Sequence, residues 1–179
     1  MSDTFAILLL EDDEAHAYVA RHLLERHSGA GPTYRVTHVE RMALAEAALA
    51  ESVFDLILAD LSVPDSRGVE TIERLRRAAE GTPVVVLSAL SDETAALEAL
   101  RVGAQDYVIK EDLSRAVLLR AVRYAIERGR SREDAEVRGL LEATLDSLSA
   151  QVAVLDRGGR IMAANGAWRS FAAAAGVAG

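Results

Sequence analysis

Phe5-Ala-Ile-Leu-Leu-Leu10 is an uninterrupted apolar run, and Glu11-Asp12-Asp13 follow it directly. Short continuous runs of Val, Ile and Leu are typical of strands that are buried on both faces of a sheet. Such runs, each followed by a polar or turn-forming residue, recur through the first 110 residues. They predict five strands, at residues 5–10, 34–39, 55–59, 83–87 and 106–109.

The segments between these runs have the spacing of amphipathic helices. Apolar residues recur every three or four positions, as in Val69, Ile72 and Leu75. Asp92 is a candidate N-cap of the fourth helix, and Gly103 is expected to end it. Because alternating strands and helices require right-handed crossovers, helices should cover both faces of a parallel sheet. We therefore expect an α/β fold with a doubly wound, five-stranded parallel sheet.

The fifth helix is expected to begin near Ser114 and to extend to about Leu148, beyond the end of a compact domain. Its second half has apolar residues at coiled-coil spacing over about two heptads. Two short apolar runs around 156–159 then predict a β-hairpin, and Asn165 is a candidate cap for a further helix. One hairpin and one helix cannot form their own core, so we expect this segment to be part of an incomplete domain.

Composition excludes several classes of protein. The chain has no cysteine, which excludes disulfides, thiol nucleophiles and Cys-ligated metals. The first four residues carry no basic side chain and no 18-residue run is free of charge, so we expect no signal peptide and no membrane span, and a cytoplasmic protein. Residues 1–112 hold 21 acidic and 10 basic side chains, and no helix-turn-helix follows residue 128. Since DNA binding needs a cationic face, we expect no direct contact with DNA.

Polar residues stand at the carboxyl ends of four predicted strands. Glu11-Asp12-Asp13 follow the first strand, Asp60 the third, Ser88 the fourth and Lys110 the fifth. The carboxyl ends of parallel strands share one edge of the sheet, where ligands bind. Lys110 is also the only lysine among 20 basic residues. These side chains are therefore expected to converge on one site.

The chemistry of these side chains suits phosphoryl transfer. Carboxylates about 5 Å apart repel by roughly 3 kcal/mol per pair at an effective dielectric constant near 20, so Asp12, Asp13 and Asp60 require a cation. A set of oxygen ligands favours Mg²⁺. Lys110 and Ser88 could bind phosphoryl oxygens, and Asp60 could act as the nucleophile that forms an acyl phosphate.

Each of these residues also has an ordinary structural interpretation. Asp12 and Asp13 could be the cap and first turn of the next helix, and Asp60 could be a turn residue. Ser88 could be a loop hydroxyl, and Tyr107 could be a core residue. Their joint placement at one edge favours a functional site.

Residues 5–127 resemble a bacterial response-regulator receiver domain of the CheY type. Pro64 and Gly68 stand four and eight positions after Asp60, as the family pattern requires, whereas Glu111 replaces the proline that usually follows the family's lysine. The remaining residues that match the family are the acidic pair Asp12-Asp13, the phosphoacceptor Asp60, Ser88-Ala89, the aromatic Tyr107 and Lys110.

The resemblance implies the strand order 2-1-3-4-5 and a phosphoacceptor module of a two-component phosphorelay. Asp12, Asp13, Asp60 and the backbone carbonyl of Ser62 would bind Mg²⁺ or Mn²⁺. Asp60 would accept a phosphoryl group from the phosphohistidine of a histidine kinase or a phosphotransfer protein. It would then lose that group by its own chemistry, so the domain is not a turnover enzyme in the usual sense.

The remaining implied roles concern the phosphorylated state. Ser88, Ala89 and Lys110 would bind the phosphate. Ser88 and Tyr107 would switch the face made by the fourth helix, the fifth strand and the fifth helix. That face and the C-terminal helix would then control an output domain or dimerisation.

The C-terminal part resembles the opening of a PAS sensor domain entered through a signalling helix, on residues 141–148, 152–161 and Asn165. The resulting division is a receiver domain at 1–127, a signalling helix at 128–150 and a partial PAS-like segment at 151–179. We expect a homodimer through that helix. A generic amphipathic tail is the alternative for this segment.

Two other functions remain open for the first domain. One is a pseudo-receiver that only docks partners, without phosphorylation. The other is a phosphatase or phosphotransferase with an aspartate nucleophile. Such an enzyme generally needs a second acid two residues after the nucleophile, and Ser62 at that position disfavours it.

Overall fold

A computed structural model describes residues 3–26, 31–89 and 93–174 of the 179-residue chain. The chain divides into two compact units, residues 1–129 and 130–179. Asp92, the predicted cap of the fourth helix, lies outside the described residues. No helix in the described part of the chain is long and apolar enough to span a membrane.

The first unit alternates strands and helices. Its strands are β1 (Thr4–Leu10), β2 (Thr33–Val39), β3 (Leu56–Asp60), β4 (Ser62–Val63), β5 (Ser66–Arg67), β6 (Val84–Ser88) and β7 (Asp106–Ile109). Its helices are α1 (Glu14–Glu25), α2 (Met42–Glu51), α3 (Val69–Ala78), α4 (Glu93–Arg101), a 3₁₀ turn (Lys110–Asp112) and α5 (Arg115–Asp146). Helix α5 continues past residue 129 into the second unit.

Five strands form one parallel sheet in the order β2-β1-β3-β6-β7. This is the predicted order 2-1-3-4-5, since the two-residue strands β4 and β5 pair only with each other. The register aligns Leu10 with Ala59, Asp60 with Leu87, and Ser88 with Ile109. The prediction of a doubly wound α/β fold is therefore confirmed, and the strand ends meet at one edge.

Burial on both faces explains why the strands read as continuous apolar runs. Ile7 and Leu9 of β1 pack into a core layer with α1 and α5, whereas Leu8 and Leu10 pack into the opposite layer with α2, α3 and α4. All four side chains are fully buried. Burial of each stabilises the fold by roughly 1.5–3 kcal/mol, which fixes the sheet as a rigid base for the residues that follow it.

A short hairpin, β4–β5, follows β3 and was not predicted. Ser62 pairs with Arg67 and Val63 with Ser66 in an antiparallel ladder. Gly68 closes the hairpin with φ 59°, and its amide donates to the Leu61 carbonyl at 2.7 Å. Strands of two residues carry no hydrophobic periodicity, so sequence reading could not detect them.

The second unit contains the end of α5, strands β8 (Ala153–Leu155) and β9 (Ile161–Ala164), and helix α6 (Gly166–Ala174). Strands β8 and β9 pair antiparallel, which confirms the predicted hairpin. The Oδ1 atom of Asn165 accepts from the Trp168 amide at 2.9 Å, so Asn165 caps α6 as predicted.

Candidate functional site

Glu11 lies at the carboxyl edge of the sheet, immediately after β1. Its amide donates to the Val39 carbonyl at 3.0 Å, and its carbonyl accepts from Nε2 of His38 at 2.7 Å. The first of these bonds extends the β1–β2 pairing by one residue, and the second is a side-chain contact from β2. They hold the Glu11 side chain, which is 1% exposed, beside the ends of β3 and β7.

Lys110 joins Glu11 and Asp60 in a compact ion cluster. Its Nζ lies 2.6 Å from Oδ2 of Asp60, and 3.0 and 2.7 Å from the two carboxylate oxygens of Glu11. The Lys110 and Asp60 side chains are only 9% and 13% exposed. One ammonium group therefore compensates two carboxylates that share a largely buried position.

The pKa values of Glu11 and Lys110 are both raised, for different reasons. Burial raises the pKa of Glu11, and the neighbouring Lys110 opposes that rise only in part. Burial alone would lower the pKa of Lys110, but its hydrogen bonds to Asp60 and Glu11 outweigh this effect and the pKa lies above its ordinary value. Lys110 is therefore a fixed cation at neutral pH.

The acidic cluster consists of Glu11, Asp12 and Asp60. One carboxylate oxygen from each of these residues lies within 4.8 Å of those of the other two. All the donors are hard oxygen atoms, the set that Mg²⁺ prefers. Asp12 is exposed at the surface, which leaves an open side for a ligand. The residues present therefore fit a divalent cation.

Asp13 does not join this cluster, contrary to the predicted pair Asp12-Asp13. Its Oδ1 accepts from the His16 amide at 2.9 Å, which makes Asp13 the N-cap of α1. That backbone hydrogen bond lowers the pKa of Asp13. Because Asp13 caps α1, the acid that lies beside Asp12 in the acidic cluster is Glu11. The sequence pattern places Glu11 at this edge, but the acids that it predicts as cation ligands after β1 are Asp12 and Asp13.

Two other predicted residues lie at the same edge. The Ser62 amide donates to Oδ1 of Asp60 at 2.9 Å, so the loop after β3 fixes the carboxylate from the side opposite its bond to Lys110. Ser88, the last residue of β6, is 3% exposed, and its Oγ donates to the Ala89 carbonyl at 3.1 Å.

Tyr107 and Glu111 flank the Lys110 position. Tyr107 is half-buried in β7, pairs with Val86 and packs against the α2–α3–α4 core layer, below the edge of the sheet. Glu111 lies in the 3₁₀ turn that follows β7. The described part of the chain contains no cis peptide bond, so the Lys110–Glu111 peptide is trans.

Comparison with known proteins identifies a protein family and several relatives that match the first unit of this chain. Residues 7–123 match the family of the response regulator receiver domain. The chain is 33% identical over 108 residues to the transcriptional regulatory protein ZraR of Escherichia coli K12, covering 60% of this chain and 23% of that protein. It is 40% identical over 106 residues to the KDP operon transcriptional regulatory protein KdpE of the same organism, covering 58% and 44%.

Solved structures share the fold. The receiver domain of sensor histidine kinase PA1611 from Pseudomonas aeruginosa PAO1, with magnesium in its active-site cleft, superposes with a TM-score of 0.58 at 28% identity. The match covers 69% of this chain and 98% of that domain. The present chain thus matches a whole receiver domain but less than half the length of the two regulators.

Proposed function

The chain belongs to the response regulator receiver family, and we propose that it is the phosphoacceptor module of a two-component phosphorelay, with Asp60 as the acceptor. The observation that carries this proposal is the environment of the Asp60 carboxylate. One of its oxygens contacts the ammonium group of Lys110, and the other accepts from the Ser62 amide. The carboxylate is thereby oriented, and a cation stands beside it.

The proposed step is a displacement at phosphorus. An Asp60 oxygen forms the new P–O bond while the bond between phosphorus and the donor breaks, and the electron pair of that bond leaves with the donor. The donor in the pathway would be the phosphohistidine of a histidine kinase or phosphotransfer protein. Lys110 would stabilise the charge on the transferring phosphoryl oxygens, where most catalysis of this reaction lies.

Glu11, Asp12 and Asp60 are the residues we assign to Mg²⁺, together with the Ser62 carbonyl that the family pattern implies. Mn²⁺ has the same preference for oxygen ligands and is the alternative ion. When bound, the ion would neutralise negative charge on the phosphoryl group. Asp13 is left out of this assignment because its carboxylate caps α1.

Ser88, Ala89 and Tyr107 are proposed to transmit the phosphorylated state. Ser88 is buried at the edge of the sheet, and its hydroxyl donates to the neutral carbonyl of Ala89. An acyl phosphate would offer it a stronger, anionic acceptor. A shift of Ser88 and Ala89 toward that acceptor would alter the space beside Tyr107 and so change the face of α4, β7 and α5.

The C-terminal unit is proposed to carry the output. Helix α5 exposes Val137, Leu140 and Leu141, and Leu148, two residues after the helix, is also exposed. A second copy of the chain could cover these side chains in a homodimer. We propose that the hairpin and α6 are the opening of a PAS-like domain. We further propose a cytoplasmic location, and we propose no direct DNA contact because residues 1–112 hold 21 acidic and 10 basic side chains.

The test is intact-mass spectrometry after incubation with acetyl phosphate and Mg²⁺. We expect a gain of one phosphoryl group that requires Mg²⁺, is lost in Asp60→Asn, and persists in Asp134→Asn, the same change at an exposed carboxylate of α5. An adduct that persists in Asp60→Asn would contradict the assignment. No adduct with either acetyl phosphate or a phosphorylated histidine kinase would favour the docking pseudo-receiver.

A further inference from the structure

The loop that follows Asp60 carries a second carboxylate, Asp65, that the proposed chemistry does not use. Its Oδ1 accepts from the Met42 amide at 2.7 Å, and its Oδ2 accepts from the Ala43 amide at 2.9 Å. Both amides belong to the first turn of α2. Arg41, the N-cap residue of α2, makes no capping bond with its own side chain. The β4–β5 hairpin therefore supplies the cap of a helix that lies 22–23 residues earlier in the chain.

Arg74 of α3 reinforces this connection. Its Nη1 donates to the Asp65 carbonyl at 3.0 Å. Its Nε and Nη2 donate to the two carboxylate oxygens of Glu46, in α2, at 2.9 and 2.7 Å. This bidentate ion pair between a guanidinium and a carboxylate requires a defined geometry of both groups. The Asp65 position is thus tied to both α2 and α3.

The same hairpin orients the phosphoacceptor. Ser62, which donates its amide to Asp60, pairs with Arg67 across the hairpin. A ladder of two-residue strands is not stable alone, so its position depends on bonds to its surroundings. On the α3 side, Oγ1 of Thr71 donates to Oγ of Ser66 at 2.9 Å. On the α2 side, the contact is Asp65.

The charge of Asp65 suits this role. Burial alone would raise its pKa, but the hydrogen bonds from the Ala43 and Met42 amides outweigh burial, and the pKa lies below its ordinary value. Asp65 is therefore ionised at neutral pH. A negative charge at the N-terminus of a helix is favoured by the helix dipole.

We propose that Asp65 is a positioning residue for phosphoryl transfer: it caps α2, and this contact holds the β4–β5 hairpin so that the Ser62 amide keeps the Asp60 carboxylate oriented. The expected effect of Asp65 on the rate of phosphorylation rests on the proposed function of Asp60, whereas its effect on the position of the Ser62 amide does not. In this proposal, the geometry of the acceptor depends on a contact with α2, a helix that contributes no residue to the acidic cluster.

The experiment compares three proteins: the wild type, Asp65→Ala and Ala50→Gly. Ala50 is exposed at the far end of α2, so glycine there weakens the helix without touching the hairpin. The first readout is the rate of phosphorylation by acetyl phosphate at saturating Mg²⁺. The second is the hydrogen-exchange rate of the Ser62 amide measured by NMR, which does not depend on phosphorylation.

We expect Asp65→Ala to phosphorylate about tenfold more slowly, within the loss that a misplacement of about 1 Å can cause. Its Ser62 amide should exchange at least several-fold faster, whereas Ala50→Gly should match the wild type in both readouts. Asp65→Asn keeps one acceptor atom and should fall between the wild type and Asp65→Ala.

Equal rates in Asp65→Ala and the wild type, or equal slowing in Ala50→Gly, would overturn the proposal. If the wild type accepts no phosphoryl group from any donor, the proposed function fails and so does the kinetic role of Asp65. Unchanged Ser62 exchange in Asp65→Ala would overturn the structural part on its own.

Discussion

Most large apolar side chains of the sheet in the first unit are buried, whereas most of those in the second unit are exposed. Leu8 and Leu58 of the sheet are 0% exposed, whereas Leu140 of α5 and Met162 of β9 are 70% and 71% exposed. Among the described residues 130–174, only Leu145 and Asn165 are buried. The first unit therefore completes its core with its own residues, and the second does not.

Buried polar groups differ between the units in a related way. In the first unit, the buried Glu11 belongs to an ion cluster with Asp60 and Lys110, in which one ammonium group contacts two carboxylates. In the second unit the buried polar side chain is Asn165, which links backbone segments. Its Nδ2 donates to the carbonyls of residues 145, 148 and 150, and its Oδ1 accepts from the amides of residues 152 and 168. One side chain therefore links the end of α5 to the residue that precedes β8 and to the first turn of α6.

The largest expected effect comes from one substitution made in both units. Leu58→Ala should lower the free energy of unfolding by about 2–5 kcal/mol, because it leaves a cavity in the sheet core. Leu140→Ala should change it by no more than about 0.5 kcal/mol in the monomer. Urea unfolding followed by circular dichroism measures both. If Leu140→Ala lowers the free energy of unfolding by an amount that grows with protein concentration, a second copy of the chain buries this residue.

Asn165→Ala should produce a smaller loss, confined to the second unit. It leaves the carbonyls of residues 145, 148 and 150 and the amides of residues 152 and 168 without this partner, at about 1–3 kcal/mol for a buried unpaired group. Hydrogen exchange by mass spectrometry should then show faster exchange in residues 145–174 and unchanged exchange in the sheet. Asn165→Asp is the matched variant: it keeps the acceptor oxygen but loses the donor bonds, so it should also exchange faster. Faster exchange throughout the sheet would contradict an effect confined to the second unit.

Within the first unit, the three consecutive acids should differ in their effect on Mg²⁺ binding. Glu11→Gln and Asp12→Asn should each weaken the affinity by about tenfold, or about 1.4 kcal/mol, since each removes a charge from the cluster. Asp13→Asn should leave the affinity within about twofold, because asparagine caps helices as well as aspartate does. Isothermal titration calorimetry gives the three values. An Asp13→Asn loss equal to that of Asp12→Asn would restore the predicted pair Asp12-Asp13.

The smallest effect concerns pH and Asp65. Because the folded-state pKa of Asp65 is depressed, its contribution to stability is present above its unfolded pKa of about 3.9 and is lost as pH falls through the folded value. The wild type should thus be more stable than Asp65→Ala by about 1 kcal/mol at pH 7, the usual size of a capping bond. This difference should disappear below the folded pKa. Thermal unfolding between pH 7 and pH 2 tests this expectation, with Ala50→Gly, which changes no titratable group, as the control.

The fold and most of the edge site could be predicted from the sequence because both follow from local patterns. Burial on both faces makes the strands continuous apolar runs, and parallel topology brings Asp60, Ser88 and Lys110 to one edge. The choice between Glu11 and Asp13 could not be predicted in this way. Three acids in succession offer two candidate pairs, and only the capping bond to His16 shows which acid the helix uses.

The contact between Asp65 and α2 could not be predicted from the sequence, for a different reason. A helix cap is normally sought in the residue just before the helix, and Arg41 stands there. The cap instead comes from a hairpin of two-residue strands, which leaves no periodic signal. Exposed apolar residues in the second unit matched the predicted stripe, but the residues that would cover them cannot be inferred from the stripe itself.

The most direct test of the central claim is to map the phosphorylated residue. The protein is incubated with acetyl phosphate and Mg²⁺, reduced with borohydride, which converts an aspartyl phosphate to homoserine, and analysed by peptide mass spectrometry. The arrangement of Lys110 and Ser62 around one carboxylate predicts homoserine at position 60 and at no other aspartate. Homoserine at Asp12 or Asp13, with Asp60 unchanged, would contradict this assignment.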